Sequence, residues 1–248
     1  MVLVLTETHF FVAAAACLAT SAAISVLGVR WRPVEQIVTV LALLCVIAGL
    51  GFSAIQRGAW PLIMAAEVMV GSAAAAMLWY LLHGHDHEPR LGAPLFGAIV
   101  AGLLVWGIAR WPISQAAFMS RYSLGEAAVN FLPQAWLFAS HLALALGCGA
   151  FVEAGSLALA CLVTKRQANV EGNEAGHHPV LPGLPLLTAS LLLTALGGQY
   201  TRGVYWSWTV TESWQLLVWL FYVILWCAFV LLGWQARRFW GLTSLGLI

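Results

Sequence analysis

Between Gly203 and Tyr222 the chain reads Gly-Val-Tyr-Trp-Ser-Trp-Thr-Val-Thr-Glu-Ser-Trp-Gln-Leu-Leu-Val-Trp-Leu-Phe-Tyr, and seven of its 13 tryptophans lie from Trp206 onward. An aromatic belt at a membrane interface is the plain reading of such residues. The spacing goes further: Tyr205, Trp206 and Trp208 fall within four residues of a connection, with Glu212 and Trp214 at the start of the helix that follows. Flat rings packed this closely make a platform for a planar ligand, of which haem is the obvious one. Two carboxylates, Glu67 and Glu153, lie inside apolar runs. A carboxylate in hydrocarbon must be protonated, paired or turned to a polar cavity. Glu67 has Arg57 and Arg121 as candidate partners. Glu153, about 18 Å along one helix from His141 at 1.5 Å per residue, suits either a proton relay or quinol contact, or a plain interhelical hydrogen bond. The stretch His83-Gly-His85-Asp86-His87-Glu88 and the pair His177-His178 are rich in metal-ligand types. They lack the spacing that fixes coordination geometry and read as solvated loops. Nucleophile elbow, phosphate loop and paired soluble-type carboxylates are all absent from the sequence, so no catalytic residue is assigned.

The elements that position these residues follow from composition. Of 248 residues 62% are hydrophobic and 8% charged, with a mean hydropathy of +0.89. A soluble domain carries about a quarter charged residues, so the chain reads as an integral membrane protein. With 11 Lys+Arg against 10 Asp+Glu it has no basic face for nucleic acid. Cys17, Cys45, Cys148 and Cys161 lie in apolar runs and Cys227 in an aromatic one, the pattern of small buried hydrophobes rather than disulfides. A bilayer core of about 30 Å takes roughly 20 apolar residues per helix, and seven runs qualify: 9–29, 34–56, 60–82, 92–109, 134–163, 180–199 and 213–236. The expectation is an all-α polytopic protein forming one transmembrane domain over 1–248, its first run a retained helix rather than a cleaved signal. Placing the N-terminus outside and the C-terminus inside puts Arg30, Arg32, Arg90, Lys165, Arg166, Arg237 and Arg238 on the inner side, with Arg57, Arg110, Arg121 and Arg202 outside. Residues 111–133, punctuated by Pro112 and Pro133, read as an amphipathic segment lying on the outer interface.

The stretch 203–222 resembles the tryptophan-rich signature of the cytochrome c assembly family, the haem-handling proteins of the CcsA/ResC and HemX type. The family pattern runs roughly G-x-Y-W-x-W-D-P-x-E-x-W-x-L-x-x-W-L-x-Y. Gly203, Tyr205, Trp206, Trp208, Glu212, Trp214, Leu216, Trp219, Leu220 and Tyr222 fall on it in register. Arg57-Gly-Ala-Trp-Pro-Leu62 with Glu67, and Leu187-Thr188 with the Leu-rich run after it, resemble two further family segments. The resemblance implies haem b held at the outer face of a bacterial-type cytoplasmic (inner) membrane and presented to an apocytochrome c or an assembly partner. It further implies a histidine one helix before the signature as iron ligand, which here is His141, in Trp136-Leu-Phe-Ala-Ser-His-Leu-Ala-Leu; read without the resemblance, a lone histidine on an apolar helix is either a hydrogen-bonded packing residue or a functional group. His9, at the outer end of the first run, is a second candidate ligand or an interfacial polar residue. The signature's Asp-Pro is Thr209-Val210 here, and at the position of the second outer histidine stands Cys227 or its neighbour Trp226; Cys227 in an apolar aromatic helix reads as a neutral thiol.

Two functions are compatible with these residues. One is haem handling in cytochrome c assembly, with Tyr205, Trp206, Trp208, Glu212, Trp214, Trp219 and His141 in contact with haem and Glu67, Glu153, His9 and Cys227 as further candidates. The alternative is a family-derived structural or quinol-proximal subunit of a larger membrane redox complex, without haem chemistry of its own. Solute transport is disfavoured, because the chain lacks paired helices broken by Gly and Pro.

Overall fold

The computed structural model describes residues 7–26, 32–83, 92–121, 131–163, 180–232 and 241–244. Seven helices run through them: α1 (Glu7–Val26), α2 (Arg32–Arg57), α3 (Ala65–His83), α4 (Gly92–Arg121), α5 (Phe131–Val163), α6 (Val180–Arg202) and α7 (Val210–Leu232). The described residues contain no strand. Backbone polar groups in lipid are satisfied within the segment, which only a helix achieves for a single chain crossing.

Six of the helices, all except α6, are long and apolar enough to cross a membrane. The expectation of seven such runs differs at α6 for a compositional reason. This helix carries Pro185, Thr188, Ser190, Thr194 and the polar end Gly197-Gly-Gln-Tyr-Thr-Arg202, and Ser190 donates its hydroxyl proton to α5. Ser190 Oγ donates to the Ser140 carbonyl at 2.9 Å and Ser140 Oγ donates to the Ser190 carbonyl at 3.2 Å, so α5 and α6 exchange hydrogen bonds in both directions.

Packing is antiparallel from each helix to the next. At one end Trp111 of α4 donates its indole N–H to Glu7 of α1 at 3.2 Å and lies 4.8 Å from the Phe11 ring, while Trp60 stacks on Phe138 at 5.1 Å. At the opposite end Tyr80 of α3 stacks on Phe96 of α4 at 4.3 Å and donates to Glu35 of α2 at 2.6 Å. The starts of α1, α3, α5 and α7 therefore share one end with the finishes of α2, α4 and α6. Two buried cores result. The larger is built by α1 to α4 around Phe11, Val46, Val70, Met77 and Leu104; the smaller joins α5 to α7 around Phe151, Leu187, Tyr222 and Leu225. Small residues set the closest approach between helices, as is usual where the hydrophobic effect gives no drive to association in lipid.

Of the segment 111–133 expected at the outer interface, residues 111–121 are helical and continue α4 through Pro112 to Arg121, and residues 122–130 lie outside the described residues. Pro112 withholds one N–H and its ring faces outward. The fully buried Trp111, held by Glu7 and Phe11, keeps the chain in register across it. Residues 84–88, the pair His177-His178, and Arg30, Arg90, Lys165, Arg166, Arg237 and Arg238 lie outside the described residues, as does the side chain of Arg121.

A β-carbon at Gly149 of α5 would lie 2.6 Å from both the Ala75 β-carbon and the Ala76 nitrogen of α3, whereas one at Gly51 would meet nothing within 4 Å. Gly149→Leu is expected to cost about 1–3 kcal/mol or more by overpacking this seam, and Gly51→Ala is expected to be neutral or stabilising. Unfolding of the two variants in detergent, followed by circular dichroism, checks the contrast.

Candidate functional site

The aromatic platform sits on a turn whose shape is set by one carboxylate. Arg202 closes α6, and Gly203, at φ +73°, takes the left-handed conformation that ends many helices. Thr209 caps α7: its hydroxyl accepts the Glu212 N–H at 3.3 Å, and Glu212 reaches back to accept the Thr209 N–H at 3.2 Å. This reciprocal box satisfies two donors that a helix start otherwise leaves open. The same carboxylate accepts the Ser207 N–H at 3.0 Å, its hydroxyl at 3.2 Å and the Arg202 guanidinium at 2.6 Å. Glu212 is only 3% exposed. It thus braces the turn from within rather than facing a ligand from it.

Around this brace the rings point outward. Tyr205, Trp208 and Trp214 are 60%, 72% and 61% exposed. Trp206 meets Trp208 edge-on, with ring centroids 6.0 Å apart and planes at 80°. Trp208 is held at φ +54°, a region costly for a bulky side chain. The Trp206 indole nitrogen is buried without a hydrogen-bond acceptor among the described residues. Trp219 belongs to the packing: it donates to the Thr188 hydroxyl of α6 at 2.9 Å.

A second turn, between α2 and α3, is built the same way. Arg57, the last residue of α2, pairs with the fully buried Glu67, third residue of α3. The Glu67 carboxylate accepts the Ile63 N–H at 3.0 Å and the Met64 N–H at 3.1 Å. Gly58 and Leu62 take positive φ, +61° and +62°. His141 meets this turn, with its Nδ1 2.7 Å from the Leu62 carbonyl. A carbonyl only accepts, so Nδ1 carries the proton and Nε2 is the ring nitrogen left for a metal.

Depth along the bundle is fixed by a chain of polar contacts. Thr194 lies 2.6 Å from Ser140 Oγ and, on its other side, 3.4 Å from the Gln215 side-chain oxygen. His141 is therefore level with the second turn of α7, just beneath the platform. Laterally the two are separated: Ser140 faces α6, while His141 faces the α2–α3 turn and makes no hydrogen bond or ring contact with residues 203–222. His9 is exposed at the same end of the bundle. Cys227 is exposed on α7, 15 residues beyond Glu212, or about 22 Å toward the opposite end. Glu153 is buried on α5. The described residues hold no group of three or more His, Cys, Asp or Glu placed to bind a metal ion.

Sequence reasoning missed Arg202 as partner to Glu212, and the buried Glu35 with its Tyr80 contact. A signal for the first exists: Arg57 and Glu67, like Arg202 and Glu212, are ten residues apart with glycine directly after the arginine.

Comparison with known proteins gives partial matches. The chain is 41% identical over 64 residues to the cytochrome c biogenesis protein CcsA of Synechococcus sp. (strain JA-2-3B'a(2-13)), covering 26% of this chain and 18% of that protein. It is 36% identical over 64 residues to CcsA of Cyanophora paradoxa, covering 26% and 20%. With CcsA of Gloeobacter violaceus it shares 33% over 66 residues, covering 27% and 20%. The matched stretch thus spans about a fifth of the length of these relatives. No family model matches the chain, and no solved structure matches it.

Thr209→Ala is expected to cost about 0.5–2 kcal/mol through loss of the cap, and Glu212→Ala about 1–3 kcal/mol because the turn's donors lose their acceptor. The double variant is expected to lose less than the two costs combined, since both residues serve one box. Denaturant unfolding of the three variants measures the coupling.

Proposed function

We propose that this protein handles haem in cytochrome c biogenesis, taking haem as cargo at the bundle end that carries the aromatic turn. His141 offers Nε2 to the iron, and Tyr205, Trp206, Trp208 and Trp214 supply the flat apolar surface. The observation that carries this reading is the hydrogen bond from His141 Nδ1 to the Leu62 carbonyl. Metal-bound histidines typically donate their other ring nitrogen in this manner, which fixes the tautomer and points the free lone pair. The exposed rings and the buried, acceptor-free indole N–H of Trp206 add support. Similarity to the CcsA proteins over 64 residues gives the biological setting. In this reading the site end faces outward from a bacterial-type cytoplasmic membrane, with an apocytochrome c or an assembly partner receiving the haem.

One observation favours a second reading. His141 and the aromatic turn lie on different sides of α5, and Cys227, in place of a second ligand, stands far down α7. A structural or quinol-proximal subunit of a membrane redox complex would keep both features without joining them through haem. The purified protein titrated with haemin separates the two. Haem handling predicts a saturable Soret band that is largely lost in His141→Ala. It also predicts a Kd weakened about 2- to 10-fold in Trp208→Ala, the worth of one aromatic contact of about 0.5–1.5 kcal/mol. A wild-type protein that stays colourless, with stable co-purification of redox subunits, supports the second reading.

A further inference from the structure

We propose that the buried Arg57–Glu67 pair is a positioning device that fixes the tautomer of His141, an inference that rests on His141 being the iron ligand. The link from the pair to the histidine runs through the backbone. Glu67 accepts the N–H groups of Ile63 and Met64, the two residues directly after Leu62. Arg57 holds the same carboxylate from the end of α2, and its Nε donates to the Ser53 carbonyl at 3.1 Å, so its own position is set. Between these anchors Leu62 is held at φ +62°, a conformation a leucine seldom adopts unaided. That conformation presents the Leu62 carbonyl to His141 Nδ1 at 2.7 Å. In free neutral histidine the favoured tautomer carries its proton on Nε2, the wrong nitrogen for a metal ligand bonded through Nε2. The turn reverses that preference.

The α6–α7 turn shows that the brace is not an accident of one loop. There the same spacing, an arginine ending one helix and a glutamate at the third position of the next, shapes the loop that bears the rings. Each half of the proposed site is therefore held by its own arginine and glutamate. In the first half the held group is a carbonyl, and that carbonyl orients the histidine.

The test uses the full chain in lipid nanodiscs with 15N-labelled histidine, the His141 signals being identified by their loss in His141→Gln. In the wild type Nδ1 is expected as a protonated nitrogen and Nε2 as a bare one. Two variants are compared: Glu67→Gln, and the double variant Arg57→Leu/Glu67→Leu. The double variant strands no buried charge, although it leaves the Ile63 and Met64 N–H groups without their acceptor, so it decides the question if the single variant, which strands Arg57, does not fold. Both are expected to populate the Nε2-protonated form, and to weaken haemin binding by about 10- to 100-fold, the usual effect of losing a partner that orients a metal ligand. A wild type protonated on Nε2, or variants that keep the wild-type tautomer, would overturn the inference. If the tautomer shifts as expected while the wild type binds no haemin, the positioning role stands and the haem-handling reading fails.

Discussion

A carboxylate placed three residues into a helix, turned back on the loop before it, is the interaction on which the rest of this bundle's end depends. Where two membrane helices reverse direction, several N–H groups are left without partners, and near hydrocarbon each open donor costs several kcal/mol. Glu67 and Glu212 solve this problem with one side chain each. Each gathers the loop's donors and takes its counter-charge from an arginine that closes the preceding helix. Charge, cap and loop shape are thus settled together. The glycines after each arginine are required because the chain must leave the helix through positive φ. Leu62 and Trp208 take the same region directly beside N–H groups that the carboxylates hold.

Beneath these turns the bundle divides its work. The α3–α5 seam, with Gly149 against Ala75 and the Trp79 indole donating to the Leu146 carbonyl at 2.9 Å, brings backbones too close for either helix to slide. The α5–α6 boundary is held by paired serine hydrogen bonds, and α7 joins through Gln215, Trp219 and the Phe151–Tyr222 stack at 3.5 Å. His141 stands on the tight side of α5. The aromatic turn stands beyond the serine-lined side.

Much of this arrangement was legible in the residues. Apolar runs announced the helices, since long hydrophobic stretches have few other fates, and the density of Tyr205, Trp206 and Trp208 marked the turn that displays them. Glu67 with Arg57 was readable as a pair because a buried carboxylate needs a cation. Other features were not readable, for physical reasons. Pro112 has the look of a boundary, yet helix breaking is decided by what holds the flanking turns, and Trp111 is held by residues a hundred positions away. Glu212 has the look of a ligand contact because it sits among tryptophans, but its lone pairs are used inside the loop. Trp219 fits the same motif and serves packing through Thr188. Which face of α5 carries His141 depends on how α3 and α6 dock against it, and no local pattern encodes that.

Each braced turn closes on itself through an arginine and a glutamate ten positions apart. They are for that reason separable modules. Substitutions can erode the aromatic surface while the histidine keeps its orientation, or disturb the histidine's carbonyl while the surface survives intact. Either turn is therefore free to change its residues without unfolding the other.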